Sequence, residues 1–378
     1  MLFARNEERD SLREMAHKFA EKRIAAYSKE WDIKGDTPLD LYQEAAELGY
    51  TGLAWPEELG GAGLSMVEKI TVSEELAWGD AGFCNALDAS TLGSRPILLA
   101  GTDAQKKYAA DIVINGGMAS FALTEPNAGS DAAAIKTTAV KVGDEYVING
   151  RKCFITNGPH AQFYVVFAKT DPEKGIKGIS AFLVERDRPG VSVGHHEDKM
   201  GIRLSTASDV LFEDVHVPAD HLLGQEGKGF KLAMQTLDIA RVDCAAEAIG
   251  ICQKALDLSV EYAKTRVTFG KPIAQLQAIQ FMLADMEIRT QAARSLVYRA
   301  AELIDAGQTD SKLCACAKAA ASEAAMQNAL DAVQIFSGYG YSREYPVEKL
   351  MRDAKIYMIF DGTSQIQRVV IAGNMLKG

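Results

Sequence analysis

The sequence predicts an α+β fold that is mostly α: an N-terminal helical domain, a middle antiparallel β-barrel or sandwich, and a C-terminal four-helix bundle. Three observations carry this expectation. After Pro218 only Pro272 and Pro346 occur, so long uninterrupted helices are permitted there. Short β-rich runs cluster between residues 119 and 224. Strand and helix patterns do not alternate, and no G-x-G-x-x-G follows a strand, which argues against a doubly wound dinucleotide-binding sheet.

Residues 1–118 read as helical, with breaks at "GDTPLD", "WPEELGGAGLS" and "GTDAQ". The opening "MLFARNEERDSLREMAHKFAEKR" mixes acids and bases without an apolar core, so it reads as an amphipathic helix and not as a signal or transit peptide. In residues 119–224 the Asn149-Gly150 pair reads as a hairpin turn. "FYVVFAKT", "ISAFLVERD", "VSVGHH" and "DVLFEDVHVP" read as strands separated by Gly, Pro and Asp. In residues 225–378, Ile279, Leu283, Met286, Thr290, Ala293 and Val297 recur at steps of four and three, one apolar stripe on a helix. Ala-rich patterns over about 227–264 and 311–336, with the segment from Glu348 onward, supply the other three helices of a bundle.

Composition narrows the function. A chain of 378 residues, 47% hydrophobic and 24% charged, is ordinary globular material with room for two or three cored domains. A net charge of -10 speaks against nucleic acid or an anionic membrane as partner. No apolar run reaches the ~18 residues of a membrane span. Cys84, Cys153, Cys244, Cys252, Cys314 and Cys316 lack disulfide-scaffold or zinc spacing. Free thiols in a reducing cytoplasm are expected. His195 and His196 are adjacent in a predicted strand and point to opposite faces, so no metal site is expected.

Six blocks give the chain a resemblance along nearly its whole length. "ALTEPNAGSD" (122–131) and "RDAKIYMIFDGTSQIQR" (352–368) resemble the two signatures of the acyl-CoA dehydrogenase family. Between them, in family order and spacing, lie "YVINGRKCFITNG", "KMGIRLSTASDVLFEDVHVP", "RVTFGKPIAQLQAIQFMLADM" and "DAVQIFSGYGYSREYPVEKLMRDAKIY". The resemblance implies FAD as cofactor, an acyl-CoA as substrate, electron-transferring flavoprotein as oxidant and a homotetramer. A base removes the α-proton of the thioester while the β-hydride passes to the flavin. An α-proton of a thioester is a weak acid, so such a base must be placed closely and enolate-like charge stabilised.

The same resemblance assigns residues. "FALTEPNAGS" is expected along the flavin and the pantetheine, with Phe121, Leu123, Thr124 and Gly129 toward the flavin and Ser130 at its boundary with CoA. Phe154 and Thr156 are expected at the ring, and Thr363 and Ser364 over it, at a helix N-terminus. Asp238, Arg241 and Gly362 resemble substrate contacts. Arg266, Phe269, Gln277, Gln334 and Gly338 resemble residues that reach the FAD of a neighbouring subunit.

Asp361 is expected to be the base. Relatives carry Glu there or, in a second group, a base one residue before the Arg of "LDIAR", where this chain has Ala240. The other reading is an ordinary acid at a helix start in a chain that has lost this chemistry. Asp is one methylene shorter than Glu, and placement matters steeply in proton transfer. A substrate wide at its α-carbon would compensate, and the exchange resembles the alicyclic, cyclohexanecarboxyl-CoA branch. Asp88 in "GFCNALDASTLGSRP" either faces the acyl pocket, as a second base for 1,4-dehydrogenation of cyclohex-1-ene-1-carboxyl-CoA, or is a solvent-facing or capping acid. A short- or branched-chain enzyme, an oxidase or reductase, and a non-catalytic acyl-CoA- or flavin-binding subunit are the alternatives. No Arg is evident near Cys84 to bind a diacid.

Overall fold

The computed structural model describes residues 6–377. The first five residues of the expected N-terminal helix therefore lie outside the described residues. The rest of it is α1 (Glu7–Phe19), capped by the Asn6 side chain. A π-helical stretch, Ala20–Ile24, joins it to α2 (Ala25–Lys34). There follow α3 (Leu39–Glu47), α4 (Met66–Gly79), α5 (Ala81–Ala100) and α6 (Asp103–Val113). The predicted breaks fall between these helices. One more break was not foreseen: Asp80 ends α4 and its carboxylate accepts from Gly82 N and Phe83 N to start α5.

The middle of the chain is one curled seven-stranded sheet. Its strands are β1 (Met118–Ala122), β2 (Thr138–Val142), β3 (Glu145–Thr156), β4 (Ala161–Lys169), β5 (Ile179–Glu185), β6 (Val191–His196) and β7 (Ala207–Pro218). The order is β1-β4-β2-β3-β7-β6, with β5 also on β4. Most pairs are antiparallel, as expected, but β1 runs parallel to β4, and β2 meets β4 in parallel at Thr138–Lys169. The hairpin turn is at Gly143-Asp144, not Asn149-Gly150: β3 runs straight through that pair with a shift in its register against β7. Asn149 instead pairs side chain to backbone and carboxylate with Asp214 across the bulge. Gly150 is needed there for space, because a Cβ would lie 2.3 Å from Thr137 Oγ1.

The C-terminal part is the expected bundle. It holds α7 (Gly229–Thr265), α8 (Gln277–Asp305), α9 (Ser311–Phe336) and a fourth member in two pieces, α10 (Val347–Tyr357) and α11 (Ser364–Leu376). On the predicted stripe Met286, Thr290, Ala293 and Val297 are buried, while Ile279 and Leu283 are only partly so. A two-residue ribbon, β8 (Val267–Thr268) with β9 (Lys271–Pro272), links α7 to α8. Met66, Ile70 and Ala81 join the core of the bundle, so α4 and α5 pack directly on α7. The break in the fourth helix falls at Asp361-Gly362.

Candidate active site

Asp361 and Gly362 adopt left-handed backbone, φ 52° and 90°. Aspartate tolerates this conformation better than most residues. At Gly362 a Cβ would also meet Gln367 Nε2 at 2.8 Å. The Thr363 hydroxyl then starts α11 by accepting from Ile366 N. Two buried side chains pin the turn through its carbonyls. Lys318 Nζ donates to Phe360 O at 2.9 Å and Gly362 O at 2.8 Å. Gln367 Nε2 donates to Asp361 O at 3.1 Å and Gly362 O at 2.8 Å. The carboxylate is left alone: among the described residues no hydrogen bond or ion pair is made to it. Burial pushes its pKa up to about 6, against the pull of the Lys318 and Arg241 charges.

Arg241, expected with Asp238 to meet CoA, is buried, and the two form an ion pair at 2.5 Å. Asp238 also accepts from Ser311 Oγ. Arg241 Nε, Ser364 Oγ and Gln367 Oε1 are buried without a protein partner among the described residues. Such atoms ask for a ligand or water.

The segment 121–130 lies along the end of β3. Cys153 N donates to Thr124 O at 3.0 Å. Lys152, fully buried, reaches Leu123 O at 3.0 Å and the Glu125 carboxylate at 2.8 Å. Burial brings the pKa of Lys152 down to about 8 despite Glu125. The side chains of Phe121 and Leu123 turn inward, against Phe167 and the core, so these two present backbone only. Thr124 and Thr156 are half-buried, Gly129 and Ser130 exposed, and the three hydroxyls have no protein partner among the described residues. Phe154 stands on left-handed backbone, φ 56°, with 63% of its surface exposed. An exposed aromatic platform on the same stretch as free hydroxyls fits a planar heteroaromatic group with a polar edge such as the flavin of FAD.

Helix α5 packs on α7 and meets the end of β3. Asn157 Nδ2, next to Thr156, donates to Ala86 O at 2.8 Å. Asp88, two residues on, is neither a solvent-facing nor a capping acid. Lys69 Nζ on α4 bridges Asp88 at 2.8 Å and Asp243 on α7 at 2.7 Å. Arg95 joins Asp243 at 3.1 Å. Glu247 accepts from Tyr357 OH at 2.5 Å. A basic group thus does stand near Cys84, but it is a lysine brought from another helix. Lys69, Lys152, Asp243, Glu247, Lys318 and Tyr357 were not anticipated. One signal could have found several of them: charges inside apolar-periodic runs, such as Asp243 and Glu247 in "RVDCAAEAIG" and Lys318 in "CACAKAAA".

The remaining expected residues lie elsewhere. Arg266 sits 5.2 Å over the Tyr339 ring, beside Gly338. Phe269 is 91% exposed, and Gln277, Gln334 and Gly338 are exposed too. Arg241 and Arg266 stand 25 residues apart along α7 and its end, about 37 Å at helical rise. This group does not gather around Asp361 of its own chain.

Matches to known proteins agree with this geometry. Residues 6–116, 120–215 and 227–376 match the N-terminal, middle and C-terminal domain models of acyl-CoA dehydrogenases. The chain is 46% identical to an acryloyl-CoA reductase (NADH) of Anaerotignum propionicum, over 100% of this chain and 96% of that protein. It is 47% identical to a short-chain-specific acyl-CoA dehydrogenase of Megasphaera elsdenii, over 96% of each. A chain in the solved structure of the electron transferring flavoprotein of Acidaminococcus fermentans superposes with a TM-score of 0.98 at 45% identity, over 100% of both chains. The chain belongs to the acyl-CoA dehydrogenase family and is an FAD-dependent oxidoreductase of acyl-CoA thioesters.

Proposed function

We propose that the enzyme works on the Cα–Cβ bond of a short acyl-CoA, with Asp361 exchanging the α-proton. The observation that carries this is the Asp361 carboxylate itself, half-buried, unpaired and with a pKa of about 6. A base poised near the working pH is what proton transfer from carbon calls for. FAD bound there would supply the acceptor for the β-hydride. Thr124, Thr156, Thr363 and Ser364 would hold its ring, and Phe154 would cover a face. Arg241 and Asp238 would position CoA, with Ser130 and Gly362 along the thioester arm. The free Arg241 Nε and Ser364 Oγ support that reading.

The relatives' names speak for short acyl groups, so the alicyclic expectation yields to its short-chain alternative. The ring ester remains a second reading on one observation: Asp361 is a methylene shorter than Glu. The 1,4-dehydrogenation through Asp88 is dropped, because Lys69 already holds that carboxylate. Electron-transferring flavoprotein is proposed as redox partner from the structural likeness, with flux in either direction. Arg266, Phe269, Gln277, Gln334 and Gly338 would complete the FAD site of a second subunit in a homotetramer. A cytoplasmic enzyme belongs to the same proposal, supported by free cysteines.

The test is anaerobic bleaching of the flavin by butyryl-, isobutyryl-, octanoyl-, cyclohexanecarboxyl- and cyclohex-1-ene-1-carboxyl-CoA. Fast bleaching by butyryl-CoA is expected. Bleaching by the saturated ring ester alone would reinstate the alicyclic reading.

A further inference from the structure

We propose that Lys152 and Glu125 are positioning residues for FAD: their buried ion pair fixes Thr124 relative to Phe154 and Thr156, and so sets how firmly the flavin is held. The proposal rests on the reading of Thr124, Phe154 and Thr156 as flavin contacts. It starts from where the strands end. β1 stops at Ala122, its last residue paired with Val166 of β4. Leu123, Thr124 and Glu125 then leave that ladder and cross to the end of β3. Three bonds catch them there. Lys152 Nζ donates to Leu123 O at 3.0 Å, Cys153 N to Thr124 O at 3.0 Å, and Lys152 Nζ to the Glu125 carboxylate at 2.8 Å. Glu125 further accepts from Lys136 N at 2.6 Å and Thr137 N at 2.9 Å, just ahead of β2. One ion pair thus gathers the exit of β1, the entry of β2 and the end of β3.

A bulge in β3 makes this possible. Lys152 pairs with Val210 and Ile155 with Ser208, so Cys153 and Phe154 together stand against Asp209 alone. Under strict alternation Lys152 and Phe154 would share a face. Instead Lys152 is fully buried and Phe154 is exposed. The left-handed backbone of Phe154 turns its ring outward while the Lys152 amine stays inward. The hold on the 123–125 segment and the orientation of the ring therefore come from one distortion of one strand.

Stability alone does not explain the pair. Two well-packed apolar side chains often serve a buried site as well. They could not donate to a carbonyl outside the ladder or accept from two backbone amides. Burial pushes the Glu125 carboxyl up, but the Lys152 charge and these bonds bring it below its ordinary value, so it stays an anion. Thr124 lies between the two anchored residues, and its half-buried hydroxyl has no protein partner among the described residues. The placement of that hydroxyl is inherited from the anchored backbone on either side.

The experiment uses purified holoenzyme and reads FAD release on dilution, by flavin fluorescence, together with the position of the flavin's visible band. The double variant Lys152→Met with Glu125→Gln removes both charges, so no unpaired ion stays in the core. Its FAD dissociation constant should rise about 10- to 100-fold, as for loss of one hydrogen bond from a charged group. Its visible band should shift in the same direction as that of Thr124→Val. Natural affinity in the double variant, with Thr124→Val weakened, overturns the pair's role and leaves the flavin reading standing. Natural affinity in both overturns that reading, and the proposal with it. Weaker binding in the double variant with an unshifted band places the effect on folding alone and also overturns the proposal. If the double variant does not fold, Glu125→Gln, which keeps the shape of the side chain, decides: weaker binding with the shifted band supports the proposal, and natural affinity with the natural band overturns it.

Discussion

Asp361 stands at a break between two helices and Asp88 in the middle of one. At the break, the surrounding donors are spent on the carbonyls of Phe360, Asp361 and Gly362. Among the described residues the carboxylate keeps no partner, and burial raises its pKa to about 6. In the middle of α5, Lys69 arrives from α4 and locks the Asp88 carboxylate between helices. The same residue type thus becomes a group able to gain and lose a proton in one place and a fixed strut in the other. What differs is whether the neighbouring cation points its N–H groups at backbone or at carboxylate.

The sharpest way to break this contrast is Asp361→Asn. It should lower kcat by about 10³-fold, as expected for loss of a general base, with FAD still bound. Stopped-flow bleaching measures it; unchanged turnover would remove Asp361 from the chemistry. Next comes Lys69→Met alone. It strands Asp88, while Asp243 keeps Arg95, and should cost about 3–5 kcal/mol in denaturant unfolding. A loss under about 1 kcal/mol would mean the network is not a strut.

Lys318→Met is a milder probe of the break. It leaves the Phe360 carbonyl unpaired, while Gly362 O keeps its bond from Gln367 Nε2, at about 1–3 kcal/mol of stability. It also removes the cation that draws the Asp361 pKa down, so the acid limb of the pH–rate profile should move to higher pH. In the natural enzyme that limb follows from the sign of the shift. The base must be ionised, so kcat/KM should be flat above about pH 6 and fall tenfold per unit below it. A limb near pH 4 would place the ionisation elsewhere. The smallest effect is expected from Asp361→Glu, a modest gain on butyryl-CoA if the carboxylate now sits too far from a straight chain, and a loss on that substrate if the pocket is fitted to Asp.

Much of the fold was legible because its signals are local. Sparse proline and apolar stripes announce α7, α8 and α9, and alternating β-branched runs announce the strands. Asn149-Gly150 misled because turn chemistry was read without the partner strand: β7 supplies Asp214, and the pair becomes a bulge inside β3. The gap at Asp80 was missed because a single residue can both end and start a helix. Of the proposed site, Asp361, Thr124, Thr156 and Ser364 could be named from contiguous motifs. Lys69, Glu247 and Tyr357 could not, since their roles exist only between helices that are far apart in sequence.

By itself the sequence determined the order of helices, sheet and helices, the position of Asp361 before Gly-Thr-Ser, and the absence of a second carboxylate at Ala240. These are properties of short stretches, and short-range periodicity and turn chemistry suffice to write them. Only the tertiary structure decided what each buried charge is for. Whether a carboxylate is free or locked depends on which cation a distant helix delivers within 3 Å of it, and no local pattern encodes that distance.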